Sequence, residues 1–132
     1  MTARQYGLRR LWLLIGFVAC GVLFYMCLVP HPPTPDISNA DKVEHFVAYL
    51  LLGTWFGGIL APYYGRVLVG LIVFGGVIEV VQSLSGYRDG DWYDLAADAL
   101  GVLAGIGCAR LGAMGWLRYI DARVAAKRNH SG

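Results

Sequence analysis

Residues 11–29, LWLLIGFVACGVLFYMCLV, run without one charged or amide side chain. A helix of this length in a water-soluble bundle needs a polar face, and this run has none. It is long enough to cross the hydrocarbon core of a bilayer, which takes about 20 residues. Three further apolar runs, 43–61, 67–84 and 95–111, are of similar length. Composition agrees with a membrane environment: 57% of the 132 residues are hydrophobic and only 15% are charged. The sequence therefore predicts an all-α polytopic membrane protein. It would have four transmembrane helices in an antiparallel bundle, with 1–132 forming a single membrane domain.

Charge placement orients the predicted spans. Arg4, Arg9 and Arg10 precede the first, and Arg66 lies between the second and third. Arg110, Arg118, Arg123, Lys127 and Arg128 close or follow the fourth, leaving only Lys42 and Arg88 for the other two loops. By the positive-inside rule both termini are expected in the cytoplasm. The first run continues apolar through GVLFYMCLV, beyond the core of a secretory signal, and reads as a retained span. Beyond residue 111, Trp116, Ile120 and Val124 recur every four residues with bases on other faces, the pattern of a short amphipathic helix lying on the inner leaflet. Gly53 and Gly57, and Gly101 and Gly105, form small-xxx-small pairs that let helices approach closely, read here as packing within one chain. Cys20, Cys27 and Cys108 fit no disulfide framework and read as packing residues.

All acids except Asp121 fall in the outer loops or the helix ends beside them. Acids contribute little to orientation, so this asymmetry points to a polar site. The connector PHPPTPDISNADK leads into the second helix, with Ser38, Asn39 or Asp41 able to cap it. Asp41, Glu44 and His45 then occupy that helix's first turns. Glu79 lies about 7–8 Å below the outer end of the third helix at 1.5 Å per residue, with Gln82 and Ser83 a turn above. Asp91 is placed to start the fourth helix, with Asp94 one turn down and Asp98 two. Three helices thus deliver polar groups to the outer third of the membrane. Glu79 and Asp98 stand out, because an acid at the centre of a span costs about 2.5–3.5 kcal/mol unless it faces a partner or a cavity. His45 is expected to hydrogen-bond Glu79 or Tyr49, and Gln82 and Ser83 to join helices. A carboxyl that keeps its proton beside an ionised one and His45 would form an acid–base set.

The stretches DKVEHFVAYLLLG, EVVQ and RDGDWYDLAADALG, in this order, resemble the VanZ-like family of small bacterial membrane proteins. The resemblance covers roughly 41–105 and rests on Asp41, Lys42 and His45, on Glu79 and Gln82, and on Arg88, Asp91, Asp94, Asp98 and Gly101. Asp98 stands where the family usually has Asn, which replaces a neutral amide by a carboxyl. The resemblance implies a multi-pass protein of the bacterial cytoplasmic membrane, associated with the cell envelope and with resistance to teicoplanin-type glycopeptides.

Two functions follow as expectations. In the first, the polar pocket binds an envelope lipid, a lipid-linked precursor or a glycopeptide without reaction. In the second, the protein is a membrane hydrolase or transferase. His45, Glu79, Asp94 and Asp98 are its candidate catalytic groups. Asp41, Lys42, Gln82, Arg88 and Asp91 contact the substrate, and Lys42 and Arg88 hold its anionic part. Proton-coupled transport is disfavoured, because four short helices leave little room for alternating access. Asp41 and His45 are one turn apart and a histidine with carboxylates can bind zinc or manganese, which leaves a metal-dependent enzyme open. But one histidine among several acids is a poor zinc set, so no metal and no cofactor is expected. Membrane lipids are the expected surroundings, and no nucleic-acid partner is expected.

Overall fold

The computed structural model describes residues 7–30, 39–86 and 89–130. Among them all regular structure is helical: α1 (Arg9–Leu28), α2 (Ala40–Ile59), α3 (Tyr64–Ser85), α4 (Trp92–Arg110) and α5 (Gly115–His130). The four apolar runs each become a helix, with ends within about three residues of those expected, the usual uncertainty of helix boundaries. α1 and α3 are long and apolar enough to cross a membrane. α4 and α5, bent by 52° at their junction, would make a third span if counted together. α2 and α4 are less apolar for a visible reason: Asp41, Lys42, Glu44 and His45 crowd the first turns of α2, and Asp94, Asp98 and Arg110 lie in α4.

The closest packing in the molecule is between α2 and α4, and glycine makes it. A methyl group on Gly101 would lie 2.5 Å from the Phe46 carbonyl oxygen, and one on Gly53 would lie 2.8 Å from that of Val102. At Gly57 it would meet the Ala109 methyl at 3.2 Å. The two small-xxx-small pairs thus face each other within one chain. Residue numbers rise together along the contact, from Lys42 beside Asp91 to Gly57 beside Ala109, so α2 and α4 run in the same direction. Where lipid surrounds a bundle, apolar burial favours neither helix pairing nor separation, and backbone proximity with dispersion supplies the attraction.

α1 crosses the far half of α2, where Gly16 admits the rings of Trp55 and Phe56. Tyr49, Leu52, Phe56, Val67, Leu71, Val102 and Ile106 form the central apolar core of α2, α3 and α4. At the end of α2 a second cluster joins Trp12, Ile59, Met114 and Leu117. Met114, just before α5, and Leu117 are buried there, Ile120, Asp121 and Val124 are half-buried, and most other side chains of α5 are exposed. Trp12 Nε1 donates to Asp121 Oδ1 at 3.1 Å, and Trp55 Nε1 donates to the Trp12 carbonyl at 2.9 Å. The rings of Trp12, Trp55 and Trp116 meet pairwise with centroids 6.1–6.4 Å apart. An acid in α5 thus matches the indole N–H of α1.

Helix ends explain the local geometry near the acids. Asn39, in the left-handed region at φ 76°, occupies the N-cap position of α2, but its side chain makes no capping bond. Ser38 lies outside the described residues, and Asp41 sits in the first turn. α3 ends on Gly86 at φ 78°, where the left-handed conformation carries no Cβ penalty. At α4 the expected cap is present: Asp91 Oδ1 accepts the Tyr93 N–H at 2.8 Å. Cys20, Cys27 and Cys108 are thiols outside any disulfide.

Candidate functional site

A spacing of four puts side chains on one helix face, one turn apart. α2 presents His45 and Tyr49 in this way, α3 presents Gly75 and Glu79, and α4 presents Asp94 and Asp98. The α2–α4 glycine contact lies immediately beyond, so His45 and Asp98 are held against each other: His45 Nδ1 and Asp98 Oδ1 are 2.8 Å apart. This corrects the expected partner of His45, which is neither Glu79 nor Tyr49. The choice depended on the relative rotation of two helices 53 positions apart in sequence. Glu79 nevertheless belongs to the same group. His45, Glu79 and Asp98 each offer a donor atom, and these atoms lie within 4.8 Å of one another.

Glu79 is tied to the start of α4, where its Oε2 accepts the Asp91 backbone N–H at 2.8 Å. Gly90 permits this approach, because a methyl there would collide with the Ser83 hydroxyl and lie 2.9 Å from the Glu79 carbonyl oxygen. Ser83 Oγ itself donates to that carbonyl at 2.9 Å. Above the cluster, Lys42 Nζ is 3.1 Å from Asp91 Oδ2 and 3.8 Å from Asp94 Oδ1. Lys42, expected to hold an anionic ligand, is thus already engaged by two acids. The Tyr93 N–H, and then the Lys42 ammonium, hold the Asp91 carboxyl below its ordinary pKa.

One other expected contact is used structurally. Gln82 is buried and donates through Nε2 to the Cys27 carbonyl at 2.9 Å, satisfying the end of α1 and fastening it to α3. Asp41 is exposed in the first turn of α2. Arg88 lies outside the described residues. The site therefore gathers His45, Glu79, Asp94 and Asp98, with Lys42 and Asp91 at its rim.

Satisfaction of these groups is incomplete. His45, Glu79, Asp94 and Asp98 are at most 7% exposed. Yet Glu79 Oε1, Asp94 Oδ1, Asp98 Oδ2 and the Tyr49 hydroxyl are buried with no hydrogen-bond partner. Buried polar atoms almost always have one, since leaving one bare costs about 1–3 kcal/mol and more for a charge. Of these four atoms, Asp94 Oδ1 has the Lys42 ammonium 3.8 Å away, and the other three lie together without a partner. Tyr49 and Gly75 were not singled out from sequence as site residues. The signal was available in their spacing, Tyr49 four after His45 and Gly75 four before Glu79. At Gly75 a methyl would lie 2.6 Å from Asp98 Oδ2 and 3.2 Å from the Tyr49 oxygen, so this glycine makes the room that the two oxygens share.

Fold and site together define a helical protein with two or three helices able to cross a membrane and a buried, acid-rich polar cluster. Comparison with known proteins adds no relative: no family model, no curated protein and no solved structure matches the chain.

Proposed function

We propose that the chain is a VanZ-like integral membrane protein of the bacterial cytoplasmic membrane. Four helices span the bilayer as an antiparallel bundle with both termini inside, and the polar cluster near the outer leaflet binds an envelope ligand. Support for four spans comes from the outside of the bundle. α1 exposes Leu14, Phe17, Val18 and Val22, α2 exposes Val43, Val47 and Leu51, α3 exposes Val69, Val73 and Val77, and α4 exposes Leu100 and Leu103. Apolar outside with acids inside is the arrangement of a lipid-facing bundle. The VanZ-like reading rests on the three sequence stretches named above, from which His45, Glu79, Asp94 and Asp98 converge.

The ligand is an envelope lipid, a lipid-linked precursor or a glycopeptide, and a role in teicoplanin-type resistance follows from the same reading. One observation carries it: buried oxygens from three helices converge without partners, so a bound group would complete them. The test is thermal unfolding of purified protein in detergent against envelope lipid precursors, polyprenyl phosphates and teicoplanin-type glycopeptides, with Glu79→Gln in parallel. A stabilising ligand that shifts the wild type and leaves Glu79→Gln unmoved supports the reading. If none of the panel shifts the wild type while Glu79→Gln alone lowers its melting temperature, the cluster serves only to hold helices together.

A second reading is favoured by the His45–Asp98 contact, since a carboxylate bonded to one imidazole nitrogen fixes ring orientation for proton transfer at the other. In this reading the protein is a hydrolase or transferase acting on a lipid-linked or phosphate-bearing envelope substrate. It requires turnover of a bound ligand that His45→Gln abolishes while binding persists.

A further inference from the structure

We infer that His45, Glu79 and Asp98 form a binding site for one divalent transition-metal ion of the zinc or manganese kind. The inference goes beyond the ligand-binding reading and does not depend on which envelope molecule the protein recognises. Three observations lead to it.

The first is geometry. One donor atom from each of the three side chains lies within 4.8 Å of the other two. Donors about 2.0–2.2 Å from a single tetrahedral zinc ion lie about 3.3–3.6 Å from one another. The 2.8 Å and 4.8 Å of the cluster bracket that spacing, so ligation needs the close pair to open and the wider ones to close by up to about 1 Å, within reach of side-chain rotation. At 2.8 Å His45 Nδ1 and Asp98 Oδ1 share a proton, which a bound ion would displace.

The second is the state of the oxygens. Glu79 and Asp98 each have one carboxylate oxygen engaged and the other bare, and both side chains are more than nine-tenths buried. The Tyr49 hydroxyl, 1% exposed and not one of the three donors, is also bare. The missing side chain of Gly75 lets both it and Asp98 Oδ2 pack against α3. A phenol has no use for a metal ion directly here, but it would hydrogen-bond an oxygen carried by one. Three protein donors on a tetrahedral ion leave one position for such an oxygen, from water or from a phosphate-bearing head group.

The third is charge. Glu79, Asp94 and Asp98 are buried close together, and the nearest described ammonium, that of Lys42, lies at the rim, 3.1 Å from Asp91 and 3.8 Å from Asp94. A divalent ion beside a neutral imidazole balances Glu79 and Asp98 where Lys42 does not reach. The single nitrogen donor selects against magnesium and calcium, which prefer oxygen-only sites, and in favour of zinc or manganese. Ligand type argued against a metal in the sequence, because one histidine among several acids is a poor zinc set; the structure adds that one histidine and two acids from three helices converge.

The decisive experiment uses purified full-length protein in detergent, stripped with chelator and dialysed, with no organic ligand present. Zinc and manganese are each titrated and the bound metal is counted. The wild type should bind about one equivalent, with a rise in melting temperature. Glu79→Gln and Asp98→Asn should each lose binding by at least tenfold, and the distant Asp121→Asn should keep it. If a variant fails to fold, the wild type still decides: pulsed electron paramagnetic resonance of bound manganese should show one directly coupled imidazole nitrogen. Absence of stoichiometric binding, retention in both cluster variants, or bound manganese without nitrogen coupling would each overturn the site. Protonated carboxyls would then account for the cluster. Since only metal ions are added, this result is separate from the success or failure of the envelope-ligand screen.

Discussion

Replacing Gly105 by alanine tests whether the glycine seam between α2 and α4 holds both the bundle and the site. The added methyl would lie 2.6 Å from Thr54 N and 2.9 Å from the Gly53 carbonyl carbon, and it would collide with the Leu50 carbonyl oxygen. These neighbours are backbone, so no side-chain rotation relieves the contact. Restoring ordinary contact with Thr54 alone requires α4 to retreat by about 0.8 Å. Overpacking of this kind costs about 1–3 kcal/mol, against which alanine's better helix propensity returns up to about 1 kcal/mol. A net loss of about 1–2 kcal/mol is expected. The same retreat carried to His45 and Asp98 would stretch their 2.8 Å contact to about 3.6 Å, beyond hydrogen-bond range. The assay is unfolding in mixed micelles beside Gly107→Ala, a position on the same helix with nothing within 4 Å of its added methyl. Gly107→Ala should be neutral or slightly stabilising, Gly105→Ala clearly less stable. Equal stability of the two variants would refute the claimed backbone approach.

Asp91→Asn should lower the melting temperature less than Asp91→Ala, because asparagine still caps α4 while alanine loses both the cap and the Lys42 pair. Since the folded-state pKa of Asp91 is depressed, the wild-type advantage over Asp91→Asn should be full above the ordinary carboxylate range. It should vanish as pH falls through the depressed value, as read by melting curves across pH. Asp121→Ala should free α5 from α1 at a cost of about 1 kcal/mol, seen as a change in the fluorescence of the Trp12, Trp55 and Trp116 group. An unchanged spectrum would mean that α5 is held by Leu117 alone.

The helices were legible because each is built on a long apolar run, and the runs announce themselves. The level of the acids was legible too, since 1.5 Å per residue converts position into depth. Azimuth was not. Whether His45 turns to Asp98 or to Glu79 is decided by how α2 rolls on α4, and that roll follows from which glycines touch which carbonyls. Lys42 looked available because its two acids lie some 50 positions away along the chain. The partner of Asp121 was hidden because this acid reads as one more solvated charge until Trp12 is placed opposite it. In each case the missing information was a contact between distant segments.

The parallel pairing of α2 with α4 has a consequence for how such a chain is made. His45 and Asp98 are separated by 53 residues, and α3 must be synthesised between them. At about 5–20 residues per second the partner of His45 leaves the ribosome roughly 3–10 s after it. During that interval α2 exists with its polar first turns and without the helix that covers them. α2 is then a helix formed early and secured only on arrival of α4. A chain truncated before Trp92 would leave it without its main partner and open to quality-control proteolysis.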